Sequence, residues 1–182
     1  MNHNIFYISN KKTLKNKIIL IINIQKDIKK ELIELLINCN SKIILLEKSI
    51  NKTSMYYDKL CKNKKYIYVY FIDFLIATNK DYYKFSKSIY FNFGRIDGII
   101  YDIPKLCKQT LFEQQKLEEF YKIMNINFYT KLIIIKSLIP LIKLSKSPSI
   151  IFTTHNINIP KTYWNAYIYA NTSLQILIKF LQ

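Results

Sequence analysis

LKNKIILIINIQKDIKKELIELLINCNSKIILLEK, residues 14–48, changes its hydrophobic rhythm twice, and those changes decide the fold. Its first part, through Ile24, has a continuous apolar centre of strand length, the mark of a strand buried on both faces. Ile28, Leu32, Leu35, Leu36 and Cys39 then recur at helical spacing, while Lys29, Lys30, Glu31 and Glu34 fall on the other face. KIILL, Lys42 to Leu46, reads as a second buried strand. Two such strands joined by an amphipathic helix form a parallel pair with a helical crossover.

The alternation persists along the chain. A strand is expected around Tyr66 to Ile72, a helix over Asn79 to Asn92, a strand at Ile96 to Tyr101, and a long helical stretch from about Leu111 to Leu144. SPSIIFTT offers a fifth strand at Pro148 to Thr154, and a final helix fills Tyr163 to Gln182. The pattern predicts an α/β fold: a Rossmann-like, doubly wound parallel sheet of about five strands in one domain, residues 1–182, with 1–13 as an N-terminal extension. Ligands of such sheets gather beyond the carboxyl ends of the strands where the strand order reverses. Residues 22–29, Glu47, Asp73, Asp102 and Thr154 are therefore the informative positions.

Lysine and arginine number 28 against 12 acids, a formal net charge of +16. The lysines are spread without an arginine cluster or an aromatic-basic signature, so the charge reflects a composition rich in isoleucine, lysine, asparagine and tyrosine, and specific nucleic-acid recognition is not expected. Cys39, Cys61 and Cys107 have neither disulfide nor metal-ligand spacing, which argues for a reducing, cytoplasmic setting and no metal. MNHNIFYISNKK lacks the pattern of a secretory signal. The run Leu132 to Ile142 is short for a membrane span and carries Lys136 and Pro140, so no membrane association is expected.

FNFGRIDGIIYDIP, Phe91 to Pro104, contains both glycines of the chain, Gly94 and Gly98. They flank the turn into the fourth strand, where glycine suits an unusual backbone angle or a close approach to a neighbour. The stretch resembles the fourth strand of the short-chain dehydrogenase/reductases, where phrases of the type "FGRIDGLVNNAG" are common. Residues 14–48 resemble that family's first strand, glycine loop, helix and second strand. Met124 to Thr154 resembles its long helix and fifth strand, and Trp164 to Leu181 the helix that opens with "YxxxK". The likeness covers nearly the whole chain and is closest to the bacterial YciK-like oxidoreductases.

The resemblance implies an oxidoreductase using NAD or NADP on an alcohol or carbonyl. Tyr167 takes the place of the tyrosine that donates a proton to the substrate oxygen. Thr154, or equally His155 beside it, stands where a serine holds the substrate, and Asn127 matches the asparagine of the long helix. On the cofactor side, Asp73 matches the acid that meets the adenine, Asn23 the first phosphate-loop glycine, and Asp102 lies in the segment corresponding to "NNAG". The chain departs from the pattern in specific places. The loop glycines would fall at Asn23, Asp27 and Lys29, and the lysine that lowers the tyrosine pKa is Asn171. The sequence stops at Gln182, before the family's last two strands and its substrate-covering segment, so the fifth strand is expected to be an exposed edge unless a partner or the N-terminal segment covers it. At the second strand's end, Glu47 favours a ribose hydroxyl and Lys48 a 2′-phosphate, so NAD and NADP stay open.

Two functions compete: the oxidoreductase just described, and a catalytically inactive relative acting as a binding or assembly module. The resemblance also implies a homodimer through the last two helices, with Trp164, Tyr167, Leu174, Leu177, Phe180 and Leu181 as its surface. A polyanion-binding protein is a third possibility, resting on charge alone.

Overall fold

The computed structural model describes residues 13–22, 26–48, 66–101, 110–153, 163 and 165–181. Five strands form the sheet: β1 (Ile18–Ile22), β2 (Lys42–Glu47), β3 (Ile67–Phe71), β4 (Gly98–Tyr101) and β5 (Ser149–Phe152). The helices are α1 (Lys26–Asn38), α2 (Asn79–Phe93), α3 (Leu117–Met124), α4 (Thr130–Ile142) and α5 (Asn165–Phe180). A 3-10 turn, Phe112–Gln114, precedes α3, and a π turn, Asn125–Tyr129, joins α3 to α4. All neighbouring strands are parallel and the order is β3-β2-β1-β4-β5, the Rossmann-like sheet that the sequence pattern predicts. The order reverses between β1 and β4, which places the crevice beyond their carboxyl ends.

Side chains alternate across a strand, so an unbroken apolar strand needs cover on both sides. Every residue of β1 is buried. Ile18, Leu20 and Ile22, with Ile44, Leu46, Ile99 and Tyr101, meet α2 and α4 through Tyr82, Phe85, Ile89, Ile134, Ile135 and Leu138. The alternate residues Ile19, Ile21, Ile43 and Leu45 meet Ile33 and Leu36 of α1. The helical run of residues 117–142 is long and apolar enough to cross a membrane, and its second half packs against the sheet through Ile134, Ile135, Leu138 and Leu141.

Helix α1 differs from the expected stripe. Ile33, Leu36 and Cys39 are buried and Leu32 is half-buried, but Leu35 is 62% exposed. The inward face also includes Lys29, which periodicity assigns to the solvent side. Its ammonium has a partner at the end of β2, and that ion pair makes the inward position tolerable for a cation.

The two glycines serve different ends. Gly94 terminates α2 at φ +78°, its N–H donating to the Tyr90 carbonyl at 2.8 Å, and no atom lies within 4 Å of where a Cβ would stand. Gly98 begins β4, and a Cβ there would meet Ile19 Cδ1 at 2.8 Å. The first glycine is required by backbone conformation and the second by the close fit of β4 against β1. Gly94→Ala is expected to destabilise the chain by about 1 kcal/mol and Gly94→Asn by less. Gly98→Ala should be mild, because the end of Ile19 can rotate, whereas Gly98→Val should remove about 1–3 kcal/mol by overpacking; urea denaturation distinguishes all four.

Asp97 ties the amino ends of the strands together. Its carboxylate, 3% exposed, accepts hydrogen bonds from Ser145 Oγ at 2.6 Å, the Ile18 N–H at 2.9 Å and Arg95 Nε at 3.1 Å, with Lys17 Nζ at 3.6 Å. Its backbone accepts from Ser149 and donates to Ile18. Burial by itself would raise the carboxyl pKa, but the hydrogen bonds from Ser145, Ile18 and Arg95 and the Arg95 charge hold it below the usual range. A depressed folded-state pKa contributes stability that is complete above the unfolded value of about 3.9 and is lost as pH falls through the folded value. Asp97→Asn should therefore lower stability by about 3 kcal/mol at pH 7, and the deficit should shrink below about pH 4 in denaturation curves measured across pH.

Candidate functional site

At the carboxyl-end edge of the sheet, Glu47 closes β2 and Lys29 lies in the early part of α1. The Lys29 ammonium donates to Glu47 Oε1, and the two side chains are only 11% and 14% exposed. The next pair outward is looser: Lys48 Nζ stands 3.9 Å from Asp73 Oδ1, with exposures of 51% and 40%. Asp73 shapes the turn into α2. Its carboxylate accepts from the Leu75 N–H at 3.0 Å, and its carbonyl accepts from Ile76 and Ala77. This local bonding gives Asp73 a structural role independent of any adenine.

Asn127 and Tyr167, which the resemblance singles out, lie around the π turn. Asn127 lies in that turn and is fully buried. A π turn inserts an extra residue into a helix and so reorients the side chains it carries, a device frequent at functional sites. One helical turn on, Lys131 is 1% exposed, with Nζ 5.3 Å from the centre of the Tyr101 ring. Tyr101, the last residue of β4, also stacks on Phe152 of β5 at 6.0 Å. Burial, with a smaller electrostatic contribution from Tyr82, raises the Tyr101 phenol well above its ordinary range and keeps it neutral. Tyr82 is also raised by burial, and its hydrogen bond with Thr130 opposes that shift.

Tyr167 and Asn171, one turn apart on α5, are both fully buried. Helix α5 packs on α3 and the π turn, so Asn127 and Tyr167 are carried by adjoining elements. Among the described residues, Asn171 Nδ2 and Oδ1 have no hydrogen-bond partner. An amide desolvated without compensation destabilises the protein, and its dipole cannot replace a fixed ammonium charge. Asn171→Leu is therefore expected to raise the melting temperature by a few degrees, and a fall in thermal melts would show that the amide has a partner after all.

Of the other residues singled out in the sequence, Asn23, Asp102, Thr154 and His155 lie outside the described residues, as does the N-terminal extension through residue 12. Within the suggested pairing surface, Tyr167 and Leu174 are buried inside the fold, whereas Phe180 is 82% exposed. Lys131 and the Lys29–Glu47 pair are additions made by the structure. The signal for Lys131 was its place four residues after Asn127 in an otherwise apolar run. The pairing of Lys29 with Glu47 had no signal in a linear reading.

A dinucleotide held as the resemblance implies does not fit these residues. The carboxylate at the end of β2 is already engaged, the engaging lysine occupies the third glycine position, and the lysine position of α5 carries an amide without partners among the described residues.

No protein-family model matches the chain, and no curated protein matches it in sequence. Solved structures do match in shape. The oxidoreductase YciK from E. coli superposes with a TM-score of 0.87 at 19% identity, over 97% of this chain and 73% of that one. A short-chain dehydrogenase from Salmonella enterica serovar Typhi gives 0.87 at 19% identity, over 96% and 73%. A protein from Escherichia coli CFT073, described as a short-chain dehydrogenase and complexed with NADPH, gives 0.86 at 19%, over 95% and 73%. Together with the parallel order β3-β2-β1-β4-β5, these superpositions establish that the chain has the fold of the short-chain dehydrogenases, YciK oxidoreductase among them.

Proposed function

We propose that the chain is an oxidoreductase scaffold of the short-chain type that has lost hydride-transfer chemistry and serves as a binding or assembly module. Asn171 carries this reading: the position that should supply a fixed cation beside Tyr167 holds a buried amide without hydrogen-bond partners among the described residues. General acid catalysis by a tuned side chain accounts for about 10²–10⁴-fold in rate, and its efficiency falls as the acid's pKa departs from the working pH. The engaged Glu47 adds to the loss, since cofactor and proton donor must both be in place. Assembly through the last two helices suits the module reading, with Ile176 and Phe180 exposed on α5.

A second reading is an NAD(P)-dependent oxidoreductase that still acts on an alcohol or carbonyl. The buried placement of Asn127 in the π turn beside the helix of Tyr167 favours it, as does the NADPH complex of a structural neighbour. Tyr167 would then be the acid, and Thr154 or His155 would hold the substrate oxygen. Incubation of the full chain with NADH or NADPH and a panel of aldehydes and ketones at pH 7 is expected to give no turnover above buffer. Turnover that falls at least tenfold in Tyr167→Phe would overturn the inactive reading and establish the second.

A further inference from the structure

Lys29 is a charged residue on the buried face of an amphipathic helix, at the carboxyl-end edge of the sheet. A lysine stem is covered at a surface readily enough, but its ammonium normally stays in water. Here the head is drawn in with the stem, because Glu47 at the end of β2 accepts from it. The neighbouring Lys48–Asp73 pair shows what an ordinary surface ion pair on this rim looks like: longer and about half exposed. Lys29–Glu47 is shielded from solvent and so is screened less by salt.

The position of the pair gives it a consequence. In a doubly wound sheet, the acid at the end of the second strand accepts hydrogen bonds from the ribose of a nucleotide lying across the carboxyl ends. A ribose hydroxyl competing for Glu47 would have to displace a nearly buried ammonium and leave it without its counter-charge. The exchange is unfavourable because a neutral hydroxyl replaces a charged donor.

We infer that Lys29 acts as an internal plug: its ammonium takes on Glu47 the place of a ribose hydroxyl, and the pair closes the adenosine end of the cleft to dinucleotides. The inference rests on the reading of this cleft as a former dinucleotide site. It assigns Lys29 a role that neither the fold nor the lost catalytic lysine requires, and it concerns binding alone.

The test is titration of the full-length chain and its variants with NADH and NADPH by nucleotide fluorescence, with circular dichroism confirming the fold. The wild type should show no saturable binding at millimolar nucleotide. Lys29→Ala should bind NADH at least tenfold more tightly than the wild type, and should prefer NADH to NADPH because the freed Glu47 accepts a ribose hydroxyl and repels a 2′-phosphate. The double variant Lys29→Ala with Glu47→Gln leaves no buried charge unpaired, so it serves if the single variant does not fold; it should gain affinity for both nucleotides without that preference. Micromolar binding by the wild type, or variants that fold and bind no better, would overturn the inference. Outcomes for the two proposals separate cleanly: wild-type binding without turnover removes the plug and leaves the inactive reading standing, whereas turnover removes the inactive reading.

Discussion

Strand β1 can exist only with cover on both of its faces, and the rest of the structure follows from that requirement. Five consecutive buried residues, Ile18 to Ile22, send alternate side chains into two separate cores. Each fully buried isoleucine or leucine contributes roughly 1.5–3 kcal/mol, so the strand is worth forming only if α1 closes one face and α2 with α4 closes the other. The helices that cover the two faces also serve as the crossovers that parallel strands need. Asp97 fastens the amino ends of this arrangement, while the carboxyl ends open onto the crevice.

The amino-end and carboxyl-end edges have diverged in different ways. At the amino ends, both glycines and a fully bonded carboxylate remain where the geometry demands them. At the carboxyl ends, the described polar residues are tied to one another or buried. Lys29 and Glu47 neutralise each other, Asp73 closes its own turn, and Asn171 is buried with both polar atoms unpartnered among the described residues. The π turn buries Asn127 next to the helix bearing Tyr167.

Much of this architecture was legible in residues 14–48, since period changes report directly on which faces are covered. The described part of the first apolar run, Ile18–Ile22, is β1, and KIILL falls within β2, Lys42–Glu47. Helix α1 exposed the limit of periodicity. Leu35 faces solvent and Lys29 faces inward, since a long-range ion pair with Glu47 is invisible to any pattern within the helix. Asn127 and Tyr167 were found through the family resemblance, and the structure places both in buried positions on adjoining elements. Lys131 was missed because a lysine in a helical run reads as solvent-facing, and its burial over Tyr101 depends on a π turn that no local propensity announces.

A crystal structure determined from crystals grown in millimolar NADPH tests the central claim most directly. The account predicts Lys29 Nζ on the Glu47 carboxylate and no ordered nucleotide across the ends of β1 and β2. An adenosine moiety lying over β2, with Lys29 swung away from Glu47, would contradict it.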